Sequence, residues 1–102
     1  VVTRAQADAA FRAALVEEAA RNMLDGDVEI AQIQIRDVVN AAMGFDALAA
    51  ATGLPKTSLM RMLGPRGNPR AGNLARILHA VARETGVRIV VHGEPVEKPE
   101  AA

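Results

Sequence analysis

The stretch FDALAAATGLPKTSLMRML, residues 45–63, sets small apolar residues around one glycine and then runs into a short basic segment. Two helices joined by a tight turn and crossing near 90–120° need a small residue where their backbones approach. Ala49 supplies it. The turn needs a residue that tolerates positive φ, and Gly53, four positions on, is that residue. Leu48, Leu54, Leu59 and Met62 are spaced to clamp the pair onto a shared core. This is the residue logic of a helix-turn-helix, a motif whose second helix enters the DNA major groove.

The outward face of the second helix carries suitable chemistry. On a helical wheel for residues 55–63, Pro55, Leu59 and Met62 gather on one side. Lys56, Thr57, Met60 and Arg61 take the other, and we read these four as candidate base-contacting residues. Arginine can bridge two guanine acceptors, and an apolar side chain can meet a thymine methyl. The competing reading is a helical hairpin that binds nothing, since an alanine-rich chain produces small-residue spacings freely.

Charge supports the binding reading. The formal net charge is zero, but residues 1–54 hold four Arg against eight Asp and Glu, a net of −4. Residues 55–88 hold seven Lys and Arg against Glu84 alone, a net of +6, and residues 89–102 carry −2. A basic third of this kind suits a polyanionic partner. Within it, GPRGNPRAG (64–72) is a loop by composition, and Arg66, Asn68 and Arg70 are read as phosphate contacts.

Outward from this centre the pattern is helical. At 102 residues the chain is one small domain with an aliphatic core, having two Phe and neither Tyr nor Trp. Asp8 is an expected N-cap for AAFRAALVEEAARNML, with Gly26 as its stop. Asp27 is expected to cap VEIAQIQIRDVVNAAM, which Gly44 ends. Val28, Ala31, Ile35, Val38, Val39 and Ala42 form a stripe on that second helix. Ile30 and Ile33 lie off it, either widening the core contact or forming a partner-binding patch.

A short third helix, 45–52, turns Phe45, Leu48, Ala49 and Thr52 inward, and Pro55 is expected in the first turn of a fourth. Leu74, Ile77, Leu78 and Val81 keep helical register in a fifth, 73–85, closed by Gly86. VRIVV (87–91) switches to β-branched residues and is predicted to be a short strand. Its mate is open between residues 1–3, the same strand of a second chain, and a sheet edge of a partner. A homodimer through Val87, Ile89 and Val91, with Arg88 at the rim, is the favoured reading. The predicted architecture is all-α: five helices with one C-terminal strand over residues 1–92, then a disordered acidic tail, 93–102.

The segments NAAMGFDALAAATGLPKTSLMRML, GNP and NLARIL…TGVRIVV, together with DGDVE (25–29) and IRDVVN (35–40), resemble the addiction-module antidote proteins. These are HigA-like antitoxins of the Cro/repressor helix-turn-helix class. The resemblance runs from about Asp8 to Val91. It implies a small bacterial protein that represses its own operon by binding a double-stranded operator. It also implies a RelE/ParE-like toxin as partner. Two positions depart from the family pattern. Arg70 stands where relatives often place a capping Thr or Ser, giving up about 1 kcal/mol. Gly72 stands where they often place a larger polar residue.

Other chemistry is weakly represented. There is no cysteine, and His79 and His92 have no neighbouring ligand triplet in the sequence, so neither a metal nor another cofactor is expected. Glu17 and Glu18 splay apart on a helix, and no phosphate loop or nucleophile-base pair occurs, so no enzyme is read. No apolar run approaches the roughly 20 residues of a membrane span. The absence of cysteine and of a signal-peptide pattern points to a cytoplasmic site. Because residue 1 is Val and not Met, a trimmed or altered N-terminus is expected.

The expected function is therefore a DNA-binding antitoxin and autorepressor, with Ile30 and Ile33 of the acidic half facing the toxin. Two alternatives stay open: a free-standing Cro-type repressor, and a toxin-neutralising module, residues 8–43, for which DNA is secondary.

Overall fold

Asp8 starts the first helix, α1 (Ala9–Leu24), by accepting a hydrogen bond from the Phe11 amide at 3.1 Å. The computed structural model describes residues 8–97, which form five helices and no strand. α1 ends in a left-handed turn. Gly26 adopts φ +90°, its N–H donates to Met23 O, and Asp27 N–H donates to Asn22 O at 2.8 Å. Those two bonds satisfy carbonyls that the helix end leaves without partners.

The turn costs Asp27 its expected role. No side-chain cap forms at the start of α2 (Val28–Ala42), and Asp27 has φ −86° and ψ 60° rather than the extended conformation of a capping residue. Its backbone closes α1, and its carboxylate is left exposed. Gly44, at φ +84°, ends α2 and serves as the N-cap of α3 (Phe45–Thr52). α4 (Lys56–Met62) follows after three residues, and α5 (Ala71–Glu84) after a longer loop.

α1 and α2 pack along each other, and α5 lies against α1, α2 and α3. The apolar registers meet at one centre. Val16 of α1, Ile35 and Val39 of α2, Leu48, Leu59 and Ile77 are all buried there. Each such aliphatic side chain contributes about 1.5–3 kcal/mol relative to exposure. Two polar ties fix the α1 frame: Arg12 Nε donates to Thr85 O at 2.9 Å, and Asn22 donates to Gln34 at 2.8 Å.

The predicted strand at 87–91 does not form. Gly86, at φ +74°, turns the chain out of α5, and Val87 N–H donates to Ala82 O at 2.7 Å. Beyond it, no backbone group of residues 88–97 finds a hydrogen-bond partner among the described residues. A strand exists through its ladder, and the described residues offer 87–91 none. The segment keeps a two-residue alternation all the same. Val87 and Ile89 pack against the core, while Arg88 and Val90 are exposed. The first mate weighed, residues 1–3, lies outside the described residues, as does the end of the acidic tail beyond Glu97. Residues 93–97 are irregular and exposed.

Candidate nucleic-acid interface

Gly53 takes φ +73°, the left-handed conformation that the sequence asks of it, and its N–H donates to Ala49 O. Thr52 locks the turn from the other side. Its hydroxyl donates to Leu48 O at 2.8 Å and accepts from Leu54 N–H at 3.2 Å. Pro55 falls one residue earlier than expected: at φ −61°, ψ 140° it is the N-cap of α4, and Lys56 is the first helical residue. Leu59 and Leu63 are fully buried and hold α4 to the core.

Burial of Leu59 turns the opposite side of α4 outward. Lys56, Thr57, Met60 and Arg61 are all exposed, and Met60 retains 49% of its accessible surface. An exposed methionine on a seven-residue helix carries an apolar contact surface that folding leaves unused. Lys56 is not free of partners. Its ammonium lies 3.1 Å from Asp46 Oδ1 of α3, with both side chains largely solvated. Such a surface pair is worth at most about 1 kcal/mol, so it yields readily to a competing phosphate.

The loop after α4 turns back under the helix. Gly64 N–H donates to Arg61 O and Gly67 N–H donates to Gly64 O. Gly67 lies so close to the end of α4 that a Cβ there would collide with the carbonyl oxygens of Met62 and Arg61. Those oxygens are backbone and cannot move aside cheaply. Gly67→Ala should therefore destabilise the protein by about 1–3 kcal/mol, read as a lower urea midpoint with an unchanged m-value. An unchanged midpoint would mean that the loop is not held against the end of α4.

This fold-back brings the predicted phosphate contacts Arg66, Asn68 and Arg70 beside Arg61, a predicted base contact, and Asn73. Arg61, Arg66, Asn68, Arg70 and Asn73 line one open cleft of about 310 Å³ at the C-terminal end of α4. Three arginines thus border one concavity with no acidic residue in its lining. Arg70 sharpens the requirement, since it occupies the N-cap of α5 without a side-chain cap bond. A cation at the positive end of a helix dipole is unfavourable on its own, and a bound anion relieves both.

No family model, curated protein or solved structure matches this chain.

Elsewhere, Ile30 and Ile33 of α2 are half-exposed, so they do not widen the core. Ile30 borders a separate groove of about 590 Å³ between the first turn of α2 and residues 65–68. Of the expected dimer residues, Val87 and Ile89 are taken up by their own core, whereas Val91 keeps 72% of its surface exposed. His79 and His92 are exposed, and the described residues contain no group of three His, Asp or Glu able to hold a metal. No helix among them is long and apolar enough to cross a membrane.

Sequence reasoning passed over Asn73, Gly67 and Gln32. Asn73 gives no signal beyond its place in a loop-to-helix transition. Gln32 gives one: it stands four residues after Val28 and three before Ile35, inside the apolar stripe of α2, and it is buried.

Proposed function

We propose that this protein is a sequence-specific DNA-binding antitoxin that represses its own toxin–antitoxin operon and neutralises a RelE/ParE-like toxin. The cleft where Arg61, Arg66 and Arg70 converge beside the exposed face of α4 carries the DNA part. In this reading α3 and α4 form a Cro-type helix-turn-helix. α4 enters the major groove, Lys56, Thr57, Met60 and Arg61 meet base edges, and Arg66, Asn68 and Arg70 seat the flanking phosphates. Two copies bind two half-sites, paired through the C-terminal segment. Footprinting on the promoter upstream of the protein's own gene tests the reading. Protection of a two-fold repeated site is expected, and the absence of any preferred site would overturn it.

The toxin part rests on Ile30 and Ile33, which favour a partner-binding antitoxin over a free-standing repressor. They sit on the acidic half of the chain, and a toxin that acts on nucleic acid or its complexes tends to be basic. Changing both, Ile30→Asp and Ile33→Asp, should abolish capture of the co-expressed toxin while circular dichroism stays helical. Capture undiminished in the folded double variant would move the interface elsewhere.

A further inference from the structure

Gln32 is 5% exposed, and its side-chain nitrogen donates to Met62 O at 2.8 Å and to Gly67 O at 3.1 Å. An amide NH₂ has two hydrogens, and one acceptor for each is present. Met62 is the last residue of α4, and Gly67 is where the following loop folds back. The two acceptors therefore belong to the two segments that carry Arg61 on one side and Arg66, Asn68 and Arg70 on the other.

Leu59 and Leu63 seat α4 in the core and the exposed Lys56–Asp46 pair adds a weak tie, but the polar link from the end of α4 and the loop to α2 is that of Gln32. Of the other helices only α3 runs close to α4. The loop at 64–70 has no ladder, only the short bonds back to Arg61 and Gly64. α2, by contrast, packs against α1, α3 and α5.

We propose that Gln32 is the positioning residue of the nucleic-acid interface: it fixes the end of α4 and the loop together on α2, and so sets the spacing of the three arginines. The role rests on the DNA reading above. Ordered in advance, Arg66 and Arg70 meet phosphates, and Arg61 its base, without a loop-ordering cost; released, only the competent fraction of loop conformations binds. No ordinary substitute does the same. Asparagine is shorter by one methylene, and a carboxylate accepts hydrogen bonds and would face two carbonyl oxygens.

The test uses the full chain with Gln32→Met and Gln32→Glu. Amide hydrogen exchange, measured without DNA, should quicken in residues 64–70 of Gln32→Met while the core of α5 stays protected. Affinity for the footprinted operator and for a scrambled duplex should fall about tenfold. Gln32→Glu adds a readout that general loosening would not move. A carboxyl buried against carbonyl oxygens, with Asp27 and Glu29 bordering the same groove, titrates above its ordinary range, and Arg66 opposes this. Its protonated form can donate one of the two bonds. Affinity relative to the unsubstituted protein should therefore recover as pH falls from about 8 to about 5. Quickened exchange with unchanged affinity, unchanged exchange, or a relative affinity flat across pH would each overturn the proposal. If the unsubstituted protein bound no duplex, the DNA reading would fall and the functional role with it; the exchange data would still show whether the clamp exists.

Discussion

Val90→Pro should turn the protein into a folded monomer and lower its operator affinity about 100-fold or more. The argument begins with the backbone. Residues 88–97 hold donors and acceptors that find no partner among the described residues, and the chain enters this segment with Val87 and Ile89 turned in and Arg88 and Val90 turned out. An edge of that kind is a template for another strand. A second copy is the self-complementary choice, because Val87 N–H is spent on Ala82 O and the free run therefore starts at Arg88. Antiparallel pairing centred on Val91 spans residues 88–94 and sets Arg88 opposite Glu94 on both sides of the two-fold axis. Pairing centred on Ile89 would draw on the backbone of Val87, which is committed. Proline at 90 removes one ladder donor without touching Val87 or Ile89, the side chains packed on the core. Deletion of the whole segment would be a poorer test, since it strips those two from their own protomer. Light scattering gives the mass and a duplex isotherm gives the affinity. A dimer that survives Val90→Pro would place the interface elsewhere.

What the sequence made legible follows from which interactions are local. Helix periodicity and glycine stops are written in neighbouring residues. The left-handed turns at Gly26, Gly44, Gly53 and Gly86 and the buried register of Leu74, Ile77, Leu78 and Val81 could accordingly be read without coordinates. Exposure of Lys56, Thr57, Met60 and Arg61 follows from the same periodicity once Leu59 faces in. Three features were not legible. Asp27 has the composition of a cap, but the turn that ends α1 leaves it at φ −86° and ψ 60°, away from the extended conformation a cap needs. The run VRIVV has β propensity, yet propensity cannot provide a ladder, and the structure leaves it irregular, with no strand partner among the described residues. Gln32 was hidden for a third reason. Its spacing placed it in the core stripe, its polarity argued against that place, and only the carbonyls of Met62 and Gly67, 30 and 35 residues away, reconcile the two.

Base reading and phosphate seating should separate cleanly by substitution along the arginine cleft. Arg61 is on the last turn of the seven-residue α4, next to exposed Met60, and on the same outward face as Lys56 and Thr57 of its first turn. Arg61→Ala should cost about 1–3 kcal/mol on the operator and relax preference at one base pair, with a smaller loss on a scrambled duplex. Arg66 and Arg70 lie on the loop beyond the helix, lining the same cleft from its far side. In the proposed complex contacts from there reach phosphates, which every sequence shares. Arg66→Ala and Arg70→Ala should weaken operator and scrambled duplex alike. Each should also flatten the dependence of log affinity on log salt by about one unit, because each removes one counterion-releasing contact. The pair Lys56–Asp46 provides an internal control: it is solvent-exposed, so its rupture adds little to any of these differences. Isotherms on both duplexes across a salt series decide the matter. Equal losses on the two duplexes for Arg61→Ala would remove α4 from the major groove and leave the cleft as a site for non-specific polyanion binding.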